Sequence, residues 1–243
     1  MKSIVLCEGL TDCMFVQYYM RSVYGWIDSG KKAKIGFTRW NRILIKDLEQ
    51  LIIGHNGGSS GLLSMLEDVF KSNYISQGNE LYRKVVLITD RDEDTSEESM
   101  ISQINDKILL NGGIVKSNLK NNEWIDIVFI NSIGEKIIVS FLALVIPLQE
   151  NGAIETVLLN SIAKKDIYDK EIIDNSKEFV DNSDCEERYL KRRRHKLKAW
   201  FNVYFSIRVP EDYYTERQKI FMDFPWEEHP HLRSVFSKLE FLN

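Results

Sequence analysis

The sequence predicts an α/β fold, doubly wound, with a mostly parallel central sheet and a helical C-terminal extension. Three observations predict it. Ser3–Cys7 and Val85–Thr89 are short apolar, β-branched runs of the kind that form strands buried on both faces. Each is followed by a segment with helical spacing, so strand, turn and helix recur as a βαβ architecture requires. From Asp166 onward the chain becomes charged and poor in strand formers.

The elements follow in order. Thr11 to about Arg21 reads as a helix, with Thr11 as its N-cap and Met14, Phe15, Tyr18 and Tyr19 on its apolar face. Gly25 to Lys34 is loop-like. Leu51–Ile53 is a short strand, followed by the Gly-rich turn Gly54–Gly61 and helical spacing from Leu62 to Phe70. Thr95–Leu110 reads as a helix ended by Asn111-Gly112-Gly113. Two strand-like runs follow, Ile125–Ile130 and Lys136–Ile146, with a turn at 132–135. Ala153–Ala163 is the next helix. Glu186–Phe205 reads as a charged helix after an interruption at 181–184, and the tail carries Trp226, Phe236 and Phe241 as residues that pack back. The simplest partition is a core of residues 1–165 and an extension of 166–243.

Composition bounds the function. The chain has 243 residues, 44% hydrophobic, with a formal net charge of -4. That supports a normal buried core and argues against a generally basic nucleic-acid coat, while leaving room for a local basic groove. The cysteines Cys7, Cys13 and Cys185 form neither a CxxC pair nor a zinc spacing, which suits a reducing compartment. Met1-Lys2-Ser3 runs into the first strand without a signal-peptide pattern, and the apolar stretch 137–147 is too short to span a bilayer. The expectation is a cytoplasmic protein with no membrane partner.

The chemistry lies where predicted strands stop at acid. Ile4-Val5-Leu6-Cys7 runs into Glu8-Gly9-Leu10-Thr11-Asp12, and Val85–Thr89 runs into Asp90-Arg91-Asp92. In a parallel α/β sheet, ligands bind at the carboxyl ends of strands. Glu8, Asp12, Asp90 and Asp92 are therefore candidates to meet. Carboxylates gathered without partners repel one another, and hard oxygen donors suit Mg²⁺ or Mn²⁺. Each pair also has a plainer reading, as caps and first-turn acids favoured by a helix dipole.

These residues carry a resemblance. Glu8-Gly9-Leu10-Thr11-Asp12 followed by Asp90-Arg91-Asp92 is similar to the Toprim domain of topoisomerases, bacterial primases, small ribonucleases and OLD-type nucleases. The resemblance covers roughly residues 1–165. The Glu-Gly-x-x-Asp form and Gly152-Ala153-Ile154-Glu155 after Pro147 resemble the stand-alone subtype related to OLD-type nucleases. That resemblance implies a Toprim-like sheet, Glu155 as a further metal ligand, and a lysine from the helical extension, Lys196 or Lys198, approaching the acids. It also makes a separate ATPase subunit conceivable. Arg91 departs from the small residue often found inside Asp-x-Asp. No tyrosine-bearing strand-passage domain or zinc module accompanies the motifs.

The dense basic run Lys191-Arg192-Arg193-Arg194-His195-Lys196-Leu197-Lys198 reads as phosphate contact, or as a solvated helix face balancing Glu186 and Glu187. Arg192, Arg193, Arg194, Lys196 and Lys198 are the nucleic-acid-binding candidates. The Gly54–Gly61 loop lacks the Lys-Ser/Thr of a P-loop. The leading expectation is a Mg²⁺- or Mn²⁺-dependent nuclease for DNA or RNA. Glu8, Asp12, Asp90, Asp92 and Glu155 would hold metal, with Glu8 as general base or acid. Lys196 or Lys198 would stabilise the developing phosphate charge. The alternatives are a non-catalytic Toprim-like module that binds nucleic acid or protein, for example in antiviral defence, and a nucleotide-binding α/β protein using the Gly-rich loop.

Overall fold

A computed structural model describes residues 1–209 and 217–243. The chain divides into two compact units, and each is treated in turn. The first comprises Met1–Thr89, Thr95–Val145 and Lys238–Asn243; the second comprises Asp90–Asp94 and Ile146–Ser237. The boundary expected at residue 165 falls at the end of a helix inside the second unit.

The sheet has eight strands in the order β2-β3-β4-β1-β5-β8-β7-β6. They span β1 Lys2–Cys7, β2 Ile27–Asp28, β3 Trp40–Lys46, β4 Glu49–His55, β5 Tyr82–Asp90, β6 Ile114–Val115, β7 Trp124–Ile130 and β8 Lys136–Ile146. β1 pairs parallel with β4 on one side and β5 on the other. The flanks are different: β2–β3, β3–β4, β6–β7 and β7–β8 are antiparallel. The sheet is therefore mixed, and the expected mostly parallel sheet is corrected: parallel pairing is described only for β4-β1-β5.

The reason is local. Antiparallel neighbours need only a tight turn, whereas a parallel pair needs a long crossover. Asp47-Leu48 joins β3 to β4, with Asp47 at φ 51°, a left-handed conformation that aspartate tolerates. Between β7 and β8, Asn131 Oδ1 accepts the amides of Ile133 and Glu135, and Gly134 sits at φ 83°. The turn expected at 132–135 stands. β3 lies outside every strand expected from sequence.

Three helices belong to the first unit: α1 Leu10–Tyr24, α2 Gly58–Ile75 and α3 Ser96–Leu110. Ile4 and Leu6 of β1 join Leu62, Leu66 and Val69 of α2 and Ile104 and Ile108 of α3 in one buried cluster. Alternation sends Val5 and Cys7 to the opposite face. There Cys7 meets the buried Cys13 of α1. Helices thus cover both faces of the parallel strands. Thr11 is not the N-cap of α1, as the sequence suggested; the helix starts one residue earlier, behind Gly9.

The second unit is helical: α4 Ile154–Lys165, α5 Ile167–Ser183, α6 Arg193–Arg208, α7 Arg217–Met222 and α8 Pro230–Val235. α5 packs on α6, where the Tyr204 hydroxyl donates to Asp169 across 2.8 Å. The charged helix expected from Glu186 starts only at Arg193. Asp184 draws the amides of Arg188, Tyr189 and Leu190 onto its carboxylate, and this folds the intervening chain into a turn. Trp226 and Phe236 are buried in this unit. Phe241 stays half exposed in the first unit, its ring against Trp124.

Candidate functional site

In the first unit, Glu8 is the residue after β1, and β1 ends with Cys7 aligned between His55 of β4 and Ile88 of β5. That register brings Thr89 alongside Glu8. The buried Thr89 hydroxyl donates to Glu8 Oε2 at 2.7 Å. Asp90 follows directly and is the last residue of β5. Asp12, 6% exposed, accepts the Gly9 amide at 2.8 Å through Oδ2. One Asp12 oxygen therefore serves the capping role that the plainer reading proposed.

The Gly-rich loop closes on the same strand end. The Gly58 amide donates to the Glu8 carbonyl at 3.0 Å. Gly57 and Gly58 are at φ 83° and 72°, conformations that a side chain would strain, and α2 begins there. A Cβ on Gly57 would lie 3.3 Å from Arg39 Nη1, so the Arg39 guanidinium lies against the loop. His55 ends β4 with a buried Nδ1 that has no hydrogen-bond partner. Burial lowers its pKa, and the Arg39 charge lowers it further.

In the second unit, the segment Asp90–Asp94 is pinned to the chain after β8. The Arg91 amide donates to the Ile146 carbonyl at 2.6 Å, and the Arg91 carbonyl accepts the Gly152 amide at 2.7 Å. The Arg91 side chain donates from Nε to Pro147 O at 2.7 Å and from Nη2 to Leu148 O at 3.1 Å. Asp92 is exposed between these anchors. Glu155, 2% exposed, lies in the first turn of α4, behind Ala153, whose amide donates to Thr156 Oγ1 at 3.2 Å.

The basic run separates into different jobs. Arg193 donates from Nη1 to Asp92 O at 3.0 Å and from Nη2 to Asn151 O at 2.6 Å. Lys196 is ion-paired with Glu187 at 2.7 Å. Arg192, Arg194 and Lys198 are exposed. Trp200 donates to Asp181 Oδ1 at 3.0 Å, while Phe201 is fully buried.

The donor set can be tested against a metal. Among the described residues, no three His, Cys, Asp or Glu side chains form a group that could hold one. A closed cage of zinc or calcium type does not fit. Mg²⁺ is less demanding, because it keeps several waters and takes one or two carboxylates plus substrate phosphate oxygens. Glu8 and Asp12 in the first unit, and Asp90 and Asp92 in the second, are hard oxygen donors of the kind Mg²⁺ takes.

Sequence reasoning missed Thr89, Arg39 and the pinning role of Arg91. Thr89 had a signal, as the polar end of an apolar strand adjoining an acid. The other two had none: Arg91 donates to backbone carbonyls distant in sequence, and Arg39 lies against a glycine loop that no motif ties to it.

Known proteins give the following. No helix among the described residues is long and apolar enough to cross a membrane. No curated protein matches the chain. A hypothetical protein of Pyrococcus horikoshii OT3, PH0156, has a similar solved structure. It is 18% identical, with a TM-score of 0.57, and the match covers 99% of this chain and 97% of that one. At that identity the likeness shows the fold alone. A lactoylglutathione lyase from Agrobacterium tumefaciens is 11% identical over 58% of this chain and 91% of its own, and its TM-score of 0.18 carries no argument. A family model described as a protein of unknown function, DUF3226, matches residues 2–237, and the chain belongs to that family.

Proposed function

We propose that this protein is a Mg²⁺- or Mn²⁺-dependent phosphodiester hydrolase acting on DNA or RNA, built on a Toprim-like, doubly wound arrangement of β4, β1 and β5. One observation carries the reading. The Thr89 hydroxyl holds the Glu8 carboxylate at the carboxyl ends of two parallel strands, one residue before Asp90. A cap explains Asp12; it does not explain a strand-end glutamate fixed by the neighbouring strand.

Glu8, Asp12, Asp90 and Asp92 are the ligands in this reading, with Glu155 as a further one. When bound, a divalent cation supplies charge stabilisation to the phosphate and lowers the pKa of water. Glu8 takes or returns the proton of the attacking water, and Thr89 keeps one of its oxygens oriented meanwhile. Asp12 fixes the Gly9 backbone and with it the turn that presents Glu8. Arg192, Arg194 and Lys198 are available to the polyanion. Lys198 takes the charge-stabilising role given to either lysine, because Glu187 engages Lys196.

Labelled plasmid, linear DNA and RNA incubated with and without Mn²⁺ test the proposal. Cleavage that needs Mn²⁺ and is abolished in Asp90→Ala, with the circular dichroism spectrum unchanged, is the expected result. Full activity in Asp90→Ala eliminates the mechanism. A second reading, a non-catalytic module that binds nucleic acid or protein, is favoured by the lack of a three-ligand group among the described residues. It expects no thermal shift with Mn²⁺, whereas the enzyme expects a shift that Asp92→Asn removes.

A further inference from the structure

We propose that Arg193 is a positioning residue for Asp92 rather than a phosphate contact, an inference that rests on the hydrolase reading above. Its guanidinium bridges two backbone carbonyls of the second unit, Asp92 O at 3.0 Å and Asn151 O at 2.6 Å. Those carbonyls belong to the two strips of chain that the Arg91–Gly152 bridge already joins. The acidic segment is thus held from both sides. Arg91 anchors it to Pro147 and Leu148, Arg193 ties its middle residue, Asp92, to Asn151, and Asn151 Nδ2 donates to Asp94 at its far end.

The placement runs against local electrostatics. Arg192 is the N-cap of α6, with no side-chain cap, and Arg193 and Arg194 open the helix. No acid lies in that first turn. Cations are favoured at the other end of a helix, so the dipole opposes this placement. A broken local rule is expected where function constrains the sequence. The start of the helix is nevertheless tightly specified. Asp184 gathers three amides of the preceding turn, and Lys196 is tied to Glu187 of that turn. Arg193 is therefore delivered from a fixed helix start onto two carbonyls. A planar guanidinium fork holds two acceptors in one fixed geometry, which a freely rotating ammonium does not.

Because the Arg193 side chain is exposed, its bonds add little to global stability, and its variants should fold. Its effect is on the geometry of the segment. Groups that orient metal ligands typically change metal affinity or rate by about 10- to 100-fold when removed.

The experiment compares Arg193→Ala and Arg193→Lys with the natural protein in three measurements: amide hydrogen exchange over 90–94 and 146–152, Mn²⁺ titration by thermal shift, and cleavage kinetics against salt. The expected result is faster exchange in both segments, an Mn²⁺ midpoint about 10-fold higher and a lower kcat, with KM and the salt slope unchanged. Lysine should recover only part of each. A raised KM with a salt slope reduced by about one identifies a phosphate contact and overturns the inference. Unchanged exchange also overturns it. If the natural protein shows neither an Mn²⁺ response nor cleavage, the hydrolase reading fails, and the exchange measurement still decides whether Arg193 holds the segment.

Discussion

The Thr89 hydroxyl and the Glu8 carboxylate are 81 residues apart in sequence and 2.7 Å apart in space. The bond follows from parallel register: β1 ends where β5 has two residues further to run, Thr89 and Asp90. Thr89→Val keeps the shape of the buried side chain and deletes the donor. Glu8 is partly exposed, so water replaces some of what is lost, and the stability change is about 1 kcal/mol. That corresponds to a fall of about 2–4 °C in melting temperature. On the hydrolase reading the rate falls further, by about 10- to 100-fold, because the Glu8 oxygen that Thr89 holds loses that orientation. Thr89→Ser should recover most of it. Cleavage assays beside thermal melts check this; a wild-type rate in Thr89→Val removes Thr89 from the site.

Arg192 and Arg194 are exposed on either side of the engaged Arg193. If they meet phosphates, replacing both with alanine lowers affinity for all sequences alike and reduces the slope of log K against log salt by up to about two. Fluorescence anisotropy at several salt concentrations measures it. An unchanged slope makes them a solvated face.

His229 gives the second unit a pH dependence. It is 2% exposed, its ring is stacked on Phe224 at 4.5 Å, and its Nε2 is buried without a partner. Burial lowers its pKa, the Ser161 carbonyl opposes this, and Lys165 and Arg208 lower it further while Glu228 raises it. The folded state therefore keeps the ring neutral at pH values where the unfolded chain takes up a proton. Stability is present above the unfolded value of about 6.5 and is lost as pH falls below it. His55 and His231 are shifted in the same direction and act with the same sign. Melting temperature should fall from pH 7 toward pH 5, and His229→Phe should flatten part of that fall. An equal slope in the variant assigns the effect elsewhere.

Much of this was legible in the sequence for local reasons. The β-branched runs at Ser3–Cys7 and Val85–Thr89 needed no context to read as buried strands, and Asn111-Gly112-Gly113 ended α3 as its chemistry dictates. β3 was not legible. Its buried Asn41 and Leu44 are interrupted by the cations Arg42 and Lys46, and the turn into β4 uses Asp47 in place of the usual glycine signal. The start of α6 was misread because the side chain of Asp184 competes for amides that a helix would have used. The acids of the candidate site were visible as residues at strand ends. What holds them was not: Thr89 depends on register, and Arg91 and Arg193 donate to carbonyls that no motif marks.

Gly152 tests how tightly the acidic segment is fixed. Its amide donates to the Arg91 carbonyl, and a Cβ there would lie 2.7 Å from the Cβ of Thr156. Rotating the Thr156 side chain moves its Oγ1 and Cγ2 but not its Cβ, so in Gly152→Ala the backbone must shift and loosen the bridge to Arg91. The shift costs about 1–3 kcal/mol, the range for overpacking a close contact, and urea denaturation measures it. On the hydrolase reading Mn²⁺ affinity falls with it, because Asp92 follows Arg91 in the bridged segment. A Gly152→Ala protein as stable as the natural one, with unchanged Mn²⁺ response, would show that the segment has slack and that its anchors do not set the position of Asp92.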